Sequence, residues 1–139
     1  MCDTTTGECS DMSTAARPDL PAHAEAVRLP FDALVTELRA LLGLRLVAYI
    51  ASVRETRAVN QWCEGTRDTD TETAQRLRDA FVIARTLAQS DPPAVVQAWF
   101  QGLNPLLDDR SPARLLREGD RDDVGPQVIA AARAFLATG

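Results

Sequence analysis

The chain contains few side chains of the kinds that carry covalent or metal chemistry. Its 139 residues include one histidine, His23, and three cysteines, Cys2, Cys9 and Cys63. They are too few and too scattered for a disulfide framework, a zinc site or a histidine-based catalytic centre. Cys63 follows Trp62, which favours a small apolar packing role over a nucleophile. We therefore predict a non-enzymatic protein with no catalytic residue, no metal and no cofactor.

The charge balance limits which partners the protein can have. Fifteen basic and twenty acidic residues give a net charge of −5, which argues against non-specific coating of nucleic acid but not against a small local reading surface. All the basic residues are arginine, a planar group with several donors. The sequence contains neither an apolar run long enough to cross a bilayer nor a signal-peptide pattern. We therefore expect a cytoplasmic protein with no membrane partner.

Apolar residues recur at helical spacing over most of the chain. We find no alternating pattern of useful length, so we predict an all-α fold of about seven short helices. Residues 1–29 are rich in Thr, Ser, Asp, Ala and Pro, and are predicted to form a flexible leader. The remainder is divided into a helix-turn-helix domain, residues 30–90, and a second helical domain, residues 91–139. The helices are expected at about 31–42, 44–53, 57–65, 72–89, 92–102, 112–118 and 126–136.

The stretch "LVAYIASVRETRAVNQWCEG" has the pattern of a helix-turn-helix. This motif needs a small residue in its first helix, a tight turn followed by a buried aliphatic residue, and buried anchors on its second helix. Ala48, Val53, Val59 and Trp62 supply these in that order. Ser52 stands where glycine is usual, and the interval from Val53 to Val59 is one residue longer than the common spacing.

The second helix of this motif would present polar side chains outward if its anchors face the core. Arginine pairs with guanine edges or phosphate, and asparagine or glutamine pairs with adenine. Residues near the N-terminus of the helix lie where backbone N–H groups favour a phosphate. The alternative is an ordinary αα-hairpin with a polar face. The predicted DNA-binding residues are Arg54, Thr56, Arg57, Asn60 and Gln61.

The stretch "NPLLDDRSPARLLREG" predicts a turn and then a short helix. Asn104-Pro105 favours the turn, Ser111 is a helix N-cap, and Gly119 is a helix stop. The Leu106-Leu107 and Leu115-Leu116 pairs cannot all face one small core, so we expect apolar surface to remain for a partner. The arginines and acids around them are either a solvated face or a mixed-sign belt at an interface. The preceding tryptophan, Trp99, is equally consistent with core packing and with an interface.

The order of four segments resembles a known family. "VRETRAVNQWCEG", "LRDAFVIARTLAQ", "AWFQGLNPLLDDRSPARLLREG" and a terminal "AFLATG" resemble the Xre/MbcA/ParS toxin-binding antitoxins, over roughly residues 31–139. The resemblance is greatest to members paired with RES-domain toxins. The most specific residues are Trp99, Asn104, Leu106-Leu107, Arg110, Pro112-Ala113, Leu115, Arg117 and Gly119.

The resemblance implies two modules and two partners. Residues 30–90 would read operator DNA to repress the protein's own operon, and residues 91–139 would bind a RES-domain toxin. Such toxins consume NAD⁺, and the antitoxin covers the entrance of their NAD⁺ site. A homodimer or a larger hetero-oligomer with the toxin is expected. The toxin-binding residues would be Trp99, Asn104, Leu106, Arg110, Pro112, Leu115, Leu116, Arg117 and Phe135.

Two other functions are consistent with the same residues. One is a stand-alone transcriptional regulator whose C-terminal helices serve only for dimerisation. The other is an adaptor that keeps the helix-turn-helix shape but binds protein alone. DNA binding separates these two, and a toxin partner separates both from an antitoxin.

Overall fold

The computed structural model describes residues 17–138 and shows an all-helical fold there, as the hydropathy pattern predicts. No β-strand is present in this part of the chain, and none of its helices is long and apolar enough to cross a membrane. The elements are α1 (Leu20–Arg28), α2 (Phe31–Leu42), α3 (Leu44–Ala51), α4 (Thr56–Glu64), α5 (Thr71–Ala88), α6 (Pro93–Gln101), a 3-10 turn (Pro105–Leu107), α7 (Pro112–Glu118) and α8 (Arg121–Thr138).

The longest helices organise the core. α5 packs against α1, α2 and α8, and it buries Leu77, Phe81 and Ile83 completely. Val96 and Phe100 of α6 are equally buried and belong to the same apolar cluster. The buried side chains before and after residue 90 belong to one continuous cluster. The predicted division at residue 90 therefore remains a prediction about which function each part performs.

Helix α1 lies inside the predicted flexible leader, and that prediction is wrong for residues 20–28. The helix buries Ala22 and Ala26 against the core. These two alanines are four residues apart and so share one helix face. Alanine carries too little apolar area to produce a visible hydropathy stripe, which explains why the helix was not predicted. The rest of the predicted leader, residues 1–16, lies outside the described residues.

Polar contacts from α5 hold α1 in place. Arg78 donates hydrogen bonds to the backbone carbonyls of Ala26 and Leu29, at the C-terminal end of α1. About two turns further along α5, Arg85 forms a bidentate ion pair with Glu25, with N–O distances of 3.0 and 3.1 Å. An arginine near a helix C-terminus also interacts favourably with the helix dipole. α1 is therefore a docked part of the fold.

A buried carboxylate fixes the start of α1. Asp19 is fully buried and pairs with Arg17 at 3.1 Å, His23 at 3.0 Å and Arg133 of α8 at 3.5 Å. Burial alone would raise the pKa of the Asp19 carboxyl, but the hydrogen bond from Arg17 and the charges of Arg17 and Arg133 lower the pKa to about 2. Asp19 therefore stays ionised and links the first and last helices.

The connection from α3 to α4 is a tight left-handed turn. Ser52 has φ 62° and ψ 34°, the conformation in which glycine is usual. The Ser52 N–H donates to the Tyr49 carbonyl and the Val53 N–H to the Ala48 carbonyl, each at 3.1 Å. These two bonds are the Schellman pattern of a helix C-terminus. A left-handed conformation costs a residue with a side chain on the order of 1 kcal/mol.

The start of α8 differs from the prediction. The helix begins at Arg121 and not at Pro126, which lies inside it. The Asp120 carboxylate accepts the Asp122 N–H at 3.0 Å, and the Asp120 carbonyl accepts the Val124 N–H at 2.9 Å. Acidic residues are favoured at a helix N-terminus because free N–H groups point toward them. The acidic run that resembled a loop is therefore the first turn of the helix.

Candidate functional site

The loop between α6 and α7 is closed by one asparagine. The Asn104 side-chain oxygen accepts the Leu106 N–H at 2.9 Å. The Asn104 carbonyl accepts the N–H groups of Leu107 and Asp109, both at 2.9 Å, and the Asn104 N–H donates to the Arg110 carbonyl at 3.2 Å. Asn104 thus forms hydrogen bonds with residues across the loop, and these bonds hold the loop in a defined conformation.

This loop displays two leucines to solvent. Leu103 is 75% exposed and Leu106 is 66% exposed, whereas Leu107 is buried. Leu103 was not predicted as a site residue. The sequence contains one indication of its exposure. Leu103 is an apolar residue between Gly102 and the Asn-Pro turn, and it belongs to no helical stripe.

An apolar groove of about 350 Å³ lies between this loop, α6 and α8. Its wall includes Trp99 of α6 and Phe135 of α8, whose ring centroids are 6.4 Å apart. None of the side chains lining it is charged. We call this surface the loop groove. It is lined by Trp99, Leu103, Pro105, Leu106, Ala131, Ala134 and Phe135, with Asn104 and Thr138 as its polar members.

Trp99 packs against the core and also lines the loop groove. It is partly buried and packs edge-on against the fully buried Phe100, with ring centroids 5.5 Å apart and an interplanar angle of 82°. Its remaining surface lines the loop groove. Four of the predicted toxin-binding residues therefore meet in one place: Trp99, Asn104, Leu106 and Phe135.

Three predicted toxin-binding residues lie in the core. Pro112, Leu115 and Leu116 are buried in α7. Of the two leucine pairs, only Leu106 remains exposed, so the expectation that Leu115 and Leu116 contact the toxin is corrected. Short helix α7 packs against α3, α6 and α8, which together cover its apolar side. These residues therefore hold α7 in the core.

The two predicted toxin-binding arginines lie away from the loop groove lining. Arg110 is exposed, donates through Nε to the Leu107 carbonyl at 3.3 Å and lies 3.6 Å from Asp108. Arg117 extends from α7 to α3, where its guanidinium lies 4.6 Å from the centroid of the Tyr49 ring. Arg110 therefore borders the loop, whereas Arg117 belongs to the helix-turn-helix side of the molecule.

A second candidate surface is the outer face of α4. Val59 and Trp62 are buried, as the helix-turn-helix pattern requires. Arg54 and Arg57 are exposed, and Arg57 lies 3.5 Å from the Glu55 carboxylate. Thr56 opens the helix and is partly buried. Both arginines can reach a polyanion in front of this helix.

The two amide side chains on this face already have partners. The Asn60 side-chain oxygen accepts a hydrogen bond from Arg39 at 2.8 Å, and the Gln61 oxygen accepts one from Arg67 at 3.2 Å. Bidentate reading of adenine requires both the oxygen and the NH₂ group of an amide. The bonds from Arg39 and Arg67 therefore occupy one of the two lone pairs on each amide oxygen.

The described residues offer no alternative site for metal chemistry. Between residues 17 and 138, no group of three or more His, Cys, Asp or Glu side chains could hold a metal ion. Burial raises the pKa of the partly buried Asp79 carboxyl, while the ion pair with Arg121, at 2.9 Å, opposes that rise. That pair ties α8 to α5.

Comparison with known proteins bears on the antitoxin resemblance. No family model and no curated protein matches this sequence. Among solved structures, the chain is similar to MbcA, from the crystal structure of the M. tuberculosis MbcT-MbcA toxin-antitoxin complex. The chain is similar to an antitoxin. The TM-score is 0.58 with 28% sequence identity, and the match covers 74% of this chain and 94% of the MbcA chain.

Proposed function

We propose that this chain is the antitoxin of a toxin-antitoxin pair and that the loop groove binds the toxin. The observation that carries the proposal is an uncharged groove with two exposed leucines, in a chain similar to MbcA over 94% of that chain. Binding, and not catalysis, is the activity that such a surface provides.

The loop groove has the properties of a binding hot spot. Leu103 and Leu106 expose apolar area whose burial is worth about 25 cal/mol per Å². Trp99 and Phe135 supply aromatic area, which is enriched at the centres of interfaces. Since Asn104 already orders the loop, little conformational entropy is lost when a partner binds.

The finer part of the proposal is that the partner is a RES-domain toxin that degrades NAD⁺ in the cytoplasm. The resemblance of residues 31–139 to antitoxins of such toxins supports it. The antitoxin would act by covering the entrance of the NAD⁺ site, which needs no catalytic residue and no cofactor. Its inhibition would therefore be steric and stoichiometric.

Co-expression with the product of the neighbouring gene tests the antitoxin role. We expect the wild-type chain to restore growth and cellular NAD⁺, and Leu103→Asp with Leu106→Asp to abolish the rescue, because two carboxylates would be buried without partners. Val27→Asp is the matched control, since Val27 is 87% exposed on α1, away from the loop groove. Full rescue by the double variant would show that the loop groove is not part of the toxin interface.

We further propose that the α3–α4 face binds operator DNA, so that the protein represses its own operon. The α3–α4 geometry and the exposed Arg54 and Arg57 support this. Contacts from Thr56, Asn60 and Gln61 complete the proposed face. Given the partners of Asn60 and Gln61, arginine contacts to phosphate and guanine would contribute most.

A mobility-shift assay with the DNA upstream of the chain's own gene tests this second role. Arg57→Ala should weaken binding and lower the slope of log K against log salt by about one if Arg57 neutralises a phosphate. The same variant should neutralise the toxin normally. DNA binding with no effect on any toxin would instead favour the stand-alone regulator, and light scattering would show whether the C-terminal helices dimerise it.

A further inference from the structure

Besides packing against α3, helix α7 reaches the C-terminal end of that helix through one long side chain, Arg117. Arg117 Nη1 donates a hydrogen bond to the Tyr49 carbonyl at 2.8 Å, and its guanidinium lies over the Tyr49 ring, 4.6 Å from the centroid. The same Tyr49 carbonyl accepts the Ser52 N–H at 3.1 Å. Arg117 therefore binds the carbonyl that closes the turn between α3 and α4.

Two features of the C-terminal end of α3 explain why this contact stabilises it. Ser52 holds a left-handed conformation without the freedom of glycine. The last turn of α3 contains no basic residue of its own, although a cation is favoured there by the helix dipole. Arg117 supplies both the cation and an additional donor for a terminal carbonyl.

We propose that Arg117 is a positioning residue of the helix-turn-helix, and not a contact to the toxin. It holds the Schellman turn at Ser52 closed and thereby sets the direction in which α4 leaves the turn. The part of this inference that concerns DNA affinity rests on the proposed DNA-binding function. The part that concerns the turn rests on the contacts of Arg117 alone.

Amide hydrogen exchange tests the turn without any ligand. Arg117→Ala should lower the protection of the Ser52 and Val53 N–H groups roughly tenfold and leave the core amides of Phe81 and Ile83 unchanged. Arg114→Ala is the matched control, because Arg114 lies on the same helix and pairs only with Glu118, at 3.1 Å, among the described ion pairs. Unchanged protection at Ser52 and Val53 would overturn the proposal.

A second substitution distinguishes positioning from direct contact. Glycine adopts the left-handed conformation without strain, so Ser52→Gly should restore the protection lost in Arg117→Ala. In the mobility-shift assay, the Arg117→Ala variant should bind the upstream duplex roughly three- to tenfold more weakly. The reason is that a smaller fraction of the molecules has the turn in its binding-competent conformation. The salt slope should stay unchanged, and Ser52→Gly should restore the affinity.

The remaining outcomes contradict the proposal in recognisable ways. A salt slope lower by about one, with no rescue by Ser52→Gly, would make Arg117 a phosphate contact. Loss of toxin neutralisation with normal exchange would make it a toxin contact. If the wild-type chain shifts no upstream duplex, the proposed DNA-binding function fails, while the exchange experiment still decides the role of Arg117 at the turn.

Discussion

Leucines of the same chemistry have opposite roles in the short segment between α6 and α8. Leu106 is 66% exposed on a loop that Asn104 holds closed, whereas Leu116, in α7, is 3% exposed. Both were expected at the toxin interface, and the structure leaves only Leu106 available there. A residue's contribution to binding therefore has to be separated from its contribution to folding.

Replacing each of these leucines by alanine should separate the two contributions. Leu116→Ala should lower the free energy of unfolding by about 2–5 kcal/mol, because it leaves a cavity in the core. Leu106→Ala should change that free energy by less than about 0.5 kcal/mol and weaken toxin binding instead. Urea denaturation of the free chain checks the first effect, and calorimetric titration with the toxin checks the second. Equal stabilities for the two variants would contradict the burial of Leu116.

At the scale of elements, the junction of α7 and α8 depends on space and not on unusual backbone geometry. Gly119 ends α7 with φ −84°, a value open to any residue. A Cβ atom placed there would overlap the Val124 side chain and lie 2.9 Å from the Leu115 carbonyl oxygen. Glycine lets α8 start directly against the end of α7. The sequence predicted the stop but not this reason for it.

The two helix-ending glycines of similar geometry make a matched pair. Gly119→Ala should destabilise the protein by about 1–3 kcal/mol, because the new methyl group has to displace its neighbours. Gly102→Ala, at φ −83° with its nearest atom at 3.2 Å, should cost clearly less. Thermal unfolding of both variants measures the difference. Equal melting temperatures would show that the α7–α8 junction adjusts freely.

The docking of α1 should depend on pH through Asp19. The folded-state pKa of Asp19 is about 2, below its usual value near 4. The stability that Asp19 contributes is therefore fully present above about pH 4 and is lost as the pH falls toward 2. Asp19→Asn should cost on the order of 2 kcal/mol at pH 7, and the difference from wild type should shrink below pH 4.

Unfolding by denaturant at several pH values checks this dependence. Asp68→Asn is a suitable control, since Asp68 is exposed in the loop between α4 and α5. A constant difference between wild type and Asp19→Asn from pH 7 to pH 2 would mean that the Asp19 charge does not stabilise the fold.

For the whole molecule, one apolar cluster joins the helix-turn-helix to the loop groove. Buried residues from α1 through α8 belong to it, so neither half is an isolated core. Loss of an element from one half should therefore weaken the other.

Truncation tests this coupling. Removing residues 1–29 deletes α1 and should lower the free energy of unfolding by several kcal/mol, because it exposes apolar surface of α5 and leaves Arg78 and Arg85 without their α1 partners. Removing residues 1–11 leaves every described residue in place and serves as the control. If calorimetry shows equal stability for the two truncated chains, residues 17–29 do not stabilise the fold and behave as a leader.

The sequence alone determined the helical class, most helix positions, the Ser111 cap and the left-handed turn position at Ser52. Those features depend on neighbours within about four residues of one another, where periodicity and capping chemistry act. Only the tertiary structure decided that Leu115 and Leu116 are buried, that α1 docks through Asp19, Arg78 and Arg85, and that Arg117 reaches Tyr49. These contacts join positions far apart in the chain. The type of a side chain does not show whether a helix distant in sequence will pack over it.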